Sequence, residues 1–241
     1  MNLLKEFSLN DKCSYIDGNT QSTHYKMIDN CSIEDTQSLV ERGFRRFGKM
    51  YFRPICHDCN KCESIKIDVE NFVFKKSARR VIKKASHIQS YMQRPTLSQT
   101  HLDLFTKYHL HMKNKKNWDY HEASAEHYYQ SFVNGHNDFG KEVLYFDGEN
   151  LIGVDLIDVL DDGISSIYFY YDPDYSYLSL GKLSLYNQIE LAKEYQKKWI
   201  YLGYYVEECD SLAYKAEYKP YVTLEGRPTE YEEYVWSLKE D

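Results

Sequence analysis

EVLYFDGENLIGVDLIDVLDDGISSIYFYY, residues 142–171, is the stretch that decides the fold class. Its apolar residues come in short β-rich runs punctuated by Asp147-Gly148 and Asp162-Gly163, so it reads as three strands, 142–146, 151–160 and 164–171, joined by tight turns. Reversals this short make an antiparallel meander. Downstream of Asp172-Pro173, Ser179-Leu180-Gly181 opens a helix whose Leu185, Ile189 and Ala192 share one side at i, i+4 and i+7, and 199–206 is the next strand. Upstream, 87–93 reads as a strand. A helix follows over 98–113, with Leu102, Phe105, His109 and Met112 at helical spacing and Ser98 as N-cap, and a second helix covers 124–133.

The order strand, helix, helix, three antiparallel strands, helix, strand is similar to that of acetyltransferase-like (GNAT) domains, an α+β architecture. The pattern changes near Lys84. Before it the chain is rich in cysteine and irregular, with one short alternating piece at 64–69, so the expected organisation is a small Cys-containing N-terminal module, 1–84, and a GNAT-like mixed-sheet domain, 85–241. With 42% apolar residues and 24 tyrosines the chain can build a core, which excludes a disordered or low-complexity protein. No apolar run approaches the ~20 residues that cross a bilayer, and Lys5, Glu6 and Asp11 interrupt any secretory core. A cytoplasmic protein with no membrane partner is expected, its cysteines reduced thiols or metal ligands.

Charge is unevenly placed. Residues 42–84 hold 13 Lys and Arg against 4 Asp and Glu, a net of +9 in a chain whose total is −7, so the remainder stands at −16. A polyanion is drawn to this segment and repelled elsewhere, although a solvated basic face has the same composition. The same segment contains Cys56, Cys59 and Cys62, a CxxCxxC run that turns three thiolates toward one soft metal or cluster. Cys13 is the best fourth ligand, with His57 and Cys31 as substitutes; the other reading is reduced thiols filling a small core.

Gly43-Phe44-Arg45-Arg46, Tyr51-Phe52-Arg53-Pro54 leading into the cysteines, and Ser77-Ala78-Arg79-Arg80-Val81 resemble the N-terminal signature of the arginyltransferase family. The likeness extends to its bacterial branch, the aspartate/glutamate leucyltransferases. A second block agrees: Ser165-Ser166-Ile167-Tyr168, Tyr171-Asp172-Pro173-Asp174, Ser179-Leu180-Gly181, Tyr201-Leu202-Gly203-Tyr204, Cys209, and Tyr214-Lys215 through Pro220. The resemblance implies an enzyme that takes an aminoacyl group from a charged tRNA and joins it to the N-terminal Asp or Glu of a protein, marking it for degradation. Leu-tRNA is the expected donor and Arg-tRNA the alternative. It also implies a GNAT-like second domain and, from relatives that bind an iron–sulfur cluster, an iron–sulfur or zinc site on Cys13, Cys56, Cys59 and Cys62, with no cofactor needed for transfer.

The aminoacyl ester is already activated, so the enzyme has to orient the amine, accept a proton and stabilise the oxyanion. On this basis Ser179, Leu180 and Gly181 at a helix N-terminus, with Tyr168, Tyr171 and Tyr214, are expected at the aminoacyl-tRNA end. Lys215 is expected as a cation near the ester, and Asp158, a carboxylate on an otherwise apolar strand, as the group that orients the amine or takes its proton. Arg45, Arg46, Arg53, Arg79 and Arg80 are the expected acceptor site, since a guanidinium holds a carboxylate through two parallel hydrogen bonds. Two rival readings are an acetyl-CoA-dependent enzyme, which wants a richer glycine loop than Gly181 alone, and a non-catalytic RNA-binding metalloprotein.

Overall fold

In the computed structural model, residues 1–116, 118, 120, 124–135 and 138–238 are described. The chain begins with a long hairpin, β1 (Asn2–Lys12) against β2 (Thr20–Asp29). Helix α1 (Ile33–Glu41) follows, its N-terminus closed by the Ser32 hydroxyl, which accepts the Asp35 N–H. Then come β3 (Arg45–Phe47) and β4 (Met50–Pro54), which complete an antiparallel sheet in the order β1-β2-β4-β3. The segment expected to be irregular before Lys84 thus contains a regular four-stranded sheet. β1 concealed it: Leu3, Leu4 and Leu9 are all exposed, so the strand carries no inside–outside alternation and is held by its backbone ladder to β2.

The remaining elements are β5 (Glu63–Asp68), α2 (Lys76–Lys84), β6 (Gln89–Gln93), α3 (Gln99–Lys116) and α4 (Ala125–Tyr128), which runs into a π-helical turn at Tyr129–Val133. They continue with β7 (Gly140–Asp147), β8 (Asn150–Val159), β9 (Gly163–Tyr171), a 3₁₀ turn at Pro173–Leu178, α5 (Leu180–Glu194) and β10 (Trp199–Tyr205). Last are α6 (Asp210–Ala213), a second 3₁₀ turn at Tyr214–Glu217, β11 (Tyr221–Leu224) and β12 (Trp236–Leu238). Strands β5 to β12 form one sheet in the order β12-β11-β5-β10-β9-β8-β7-β6. The expected meander is β7-β8-β9, and β10 joins β9 in parallel through α5. β5 precedes Lys84 yet lies inside this sheet, between β10 and β11, and α2 packs on α5, so the two sheets do not divide at Lys84.

Both faces of the large sheet are covered. On one, Tyr145, Ile157, Ile164 and Ile200 meet Leu183, Ile189 and Ala192 of α5, with α2 beside it; on the other, Leu144, Val154, Leu156 and Tyr170 meet Leu104 and Tyr108 of α3 and Phe132 of the π turn. β8 therefore sends Asp155 toward α5 and Asp158 toward the small sheet. None of the described helices is long and apolar enough to cross a membrane.

β9 and β10 pair only over Gly163–Ser165 and Trp199–Tyr201 and then part. Arg45, from β3, fills the opening: its Nη2 donates to the carbonyls of Ser166 (2.8 Å) and Ile167 (2.9 Å), which have no β10 partner there. Gly203 makes this approach possible. It sits at φ +74°, and a Cβ there would lie 1.5 Å from Arg45 Nη1, so any other residue would expel the guanidinium.

Candidate active site

The N-terminus of α5 opens onto a cleft of about 250 Å³ lined by Tyr171, Ser179, Leu180, Gly181, Lys182, Tyr214 and Tyr218. Ser179 adopts the left-handed conformation, φ 57°, and its own side chain does not cap the helix, so the positive end of the dipole faces the cleft. Five of the six residues expected around the aminoacyl-tRNA end meet here. Tyr168 does not: it is packed among Phe47, Phe105 and Phe132 on the α3 face, and its hydroxyl donates to His109 Nε2 at 2.8 Å while His109 Nδ1 donates to the Phe105 carbonyl. Lys182 and Tyr218 were not singled out by the sequence; Lys182 follows Gly181 directly and was legible as the next residue of the first turn.

Behind Tyr214, Lys215 is buried and its ammonium nitrogen donates to the Tyr204 carbonyl at 2.6 Å. Burial first, and the Arg45 guanidinium second, hold its pKa well below the ordinary lysine range, opposed by Cys209. Its charged form is thus disfavoured relative to that of an exposed lysine.

Asp158 and Arg46 are corrected together. Asp158 is 0% exposed and takes Arg46 Nε on Oδ2 at 2.7 Å and Arg46 Nη2 on Oδ1; Arg46, 3% exposed, gives Nη1 to the Gly48 carbonyl and lies over Phe139. The pair ties β3 to β8. A carboxylate consumed by a buried bidentate pair neither orients an amine nor takes its proton, and its arginine is not presented to an acceptor.

Arg53 differs. It is 9% exposed on β4, its Nη1 donates to the carbonyls of Arg42 (2.9 Å) and Pro228 (2.8 Å), and it stacks over Phe44. Among the described residues its buried Nε has no hydrogen-bond partner and no carboxylate forms an ion pair with the guanidinium. Burial depresses its pKa, Arg227 and Arg42 add repulsion, and Tyr204 and Glu232 partly offset them. This is a positive, desolvated group with no ion-paired carboxylate among the described residues, Glu232 acting on it without a salt bridge. Arg79 and Arg80 are not beside it; they stand exposed on α2, against the other sheet. Tyr204 connects the two ends of the site, since Arg45 and Arg53 both act on its hydroxyl and Lys215 binds its carbonyl.

Residues 11–80 match the arginine-tRNA-protein transferase N terminus, and residues 100–225 match the C terminus of the same family. The chain belongs to the arginine-tRNA-protein transferase family. Among curated members of this family, the chain is 46% identical to the aspartate/glutamate leucyltransferase of Campylobacter jejuni subsp. jejuni, over 95% of its own length and 96% of the relative. It is 39% identical to that of Helicobacter hepaticus over 99% of both chains. Among solved structures, L-PGS from Bacillus licheniformis aligns with 72% of this transferase and 50% of its own chain at TM-score 0.44 and 14% identity, too remote to bear on activity.

The transferase's four expected cysteine ligands gather at the end of the small sheet. Cys62 is pushed up to about 12, first by burial and then by the neighbouring thiols of Cys13, Cys56 and Cys59. Ser22 N–H donates to Cys56 Sγ at 3.4 Å, and Arg227 donates to the carbonyls of Cys56 and Cys59, both at 2.6 Å. All four thiols are free, and among the described residues no three His, Cys, Asp or Glu side chains close to a metal-ligand geometry.

Proposed function

We propose that this chain joins leucine from Leu-tRNA to the N-terminal Asp or Glu of protein acceptors, which marks them for degradation. The observation that carries the reading is near-full-length similarity to aspartate/glutamate leucyltransferases, 46% over 95% of the chain. The cleft at the start of α5 takes the 3′ end of the tRNA, where the dipole favours phosphate or a developing oxyanion. The Arg53 fork takes the acceptor's carboxylate. The acceptor nitrogen attacks the ester carbonyl and forms the new C–N bond; the bond to the tRNA ribose oxygen breaks, and the proton leaving the nitrogen passes to Lys215 and then to that oxygen. The large sheet is read as GNAT-like, supported by the β9-α5-β10 parallel unit, the parting of β9 from β10 and the cleft at the N-terminus of α5.

Cys13, Cys56, Cys59 and Cys62 form an all-sulfur donor set suited to zinc or an iron–sulfur cluster, and a bound cation would offset the burial and the thiolate repulsion that together raise Cys62. Such a group would brace the end of the small sheet, and the transfer steps above do not pass through it.

Purified protein offered Leu-tRNA or Arg-tRNA with peptides beginning Asp, Glu or Ala should place leucine on the first two only. Arginine alone, or no transfer, would overturn the assignment. In the same assay Lys215→Met should lower kcat by about 10²–10⁴, and an unchanged kcat would remove Lys215 from the proton's path. Analysis of that preparation for zinc and iron tests the cysteine site.

A further inference from the structure

Between Glu70 and Asp103 the sequence has no carboxylate, although the chain as a whole is at −7. α2 lies in this interval. It turns Ala78 fully, and Val81 and Ile82 partly, onto the core, and leaves Lys75, Lys76, Arg79, Arg80 and Lys83 in solvent. Among the described residues none of these five has a side-chain hydrogen bond or ion pair, whereas lysines elsewhere on the surface, such as Lys107 with Asp172 and Asp174, do. Neighbours three and four apart on a helix stand ~5–6 Å from one another, so the cations form a continuous strip.

The strip leads to the active site. At the end of α2, Lys84 Nζ donates to the Tyr177 carbonyl at 2.8 Å and lies over the Tyr177 ring. Tyr177 is exposed, stacks on Tyr175, and stands two residues before Ser179 at the cleft. A chain of phosphates lying along α2 would deliver its end to that cleft past two stacked aromatic rings, the combination that holds a single-stranded 3′ terminus.

We propose that α2 is the docking surface for the acceptor end of tRNA, its cations contacting successive phosphates and Tyr175 and Tyr177 guiding the 3′ terminus toward the cleft. The inference rests on the reading of that cleft as the tRNA end of the site, and it moves Arg79 and Arg80 from the acceptor peptide to the nucleic acid. The test is equilibrium binding of deacylated tRNA across a salt series to the wild-type chain, to Arg79→Glu/Arg80→Glu/Lys83→Glu, and to the milder Arg79→Gln/Arg80→Gln/Lys83→Gln. Each phosphate contact contributes about one to the slope of log K against log salt, so both variants should show a slope shallower by about three and affinity at low salt reduced by about 10² or more. Unchanged melting temperatures would show that the fold is intact. With Leu-tRNA, KM for tRNA should rise while the preference for Asp over Ala peptides stays.

An unchanged affinity and slope would overturn the proposal, and so would a lost Asp preference, which would make α2 a peptide site. Because binding is read on deacylated tRNA, an α2-dependent slope in a protein that transfers no leucine would sink the proposed activity and leave the docking surface standing.

Discussion

Arg46 and Arg53 sit on adjacent strands of one small sheet, at 3% and 9% exposure, yet they meet opposite fates. Arg46 finds Asp158 across the gap to β8 and spends its guanidinium on a bidentate pair. Among the described residues Arg53 finds two backbone carbonyls, two more arginines and only the exposed Glu232 as a neighbouring carboxylate. A charge neutralised from within is architecture, because its partner is always present. One held by carbonyls and a ring, and only partly offset by Tyr204 and Glu232, keeps a net positive field and would be further stabilised by an added anion.

The widest separation between the two should come from removing the carboxylate. Asp158→Ala leaves Arg46 buried without its carboxylate and should cost about 3–5 kcal/mol of stability, read as a lower urea midpoint, whereas Arg46→Met with Asp158→Leu should recover most of it. A double variant as unstable as the single one would show that the pair is not the source.

Asp155, three residues earlier on β8, sharpens the contrast from the carboxylate side. It is fully buried, accepts from Ser184 and Gln188, pairs with no cation among the described residues, and is raised by burial to about 7, against which those two hydrogen bonds act. Because the folded pKa lies above the unfolded one, the folded state binds the proton more tightly. Its contribution is full below pH ~4 and is lost as pH rises through about 7, on the order of 4 kcal/mol in all. Thermal melts of Asp155→Asn should show that dependence flattened; an equally steep dependence in the variant would assign it elsewhere.

The smallest effect on stability and the most specific on function is expected at Arg53. Arg53→Gln should lower kcat/KM for Asp and Glu peptides about 10²-fold, the value of a hydrogen bond to a charged group, and leave Ala peptides unaffected. Equal losses on all three peptides would show that Arg53 supports the fold and does not read the acceptor.

What the sequence made legible follows from how local each signal is. The run from β6 to β10 was readable because its strands and helices carry their own periodicity and turn residues, and Ser179-Leu180-Gly181 marked the cleft for the same reason. β1 was not, because an exposed strand has no buried face to leave a pattern. Nor was the fate of Asp158, whose partner is 112 residues away, or that of Tyr168, since an aromatic on a strand reads alike whether it faces a cleft or a core. The motif around Arg79 and Arg80 was visible, but its separation from Arg53 required the packing of α2 on α5.

β5 occupies the middle of the large sheet, although about 130 residues separate it in sequence from its neighbour β10. On the ribosome that interval takes roughly 7 to 26 seconds, during which Ile65 and Ile67, among the most deeply buried residues of the finished protein, have no strand to lie against. The small sheet can close early, but its neighbour must wait for the last quarter of the chain. A truncation that removes β10 and β11 therefore does not leave a shorter enzyme; it leaves an apolar strand unpaired and a candidate for chaperones.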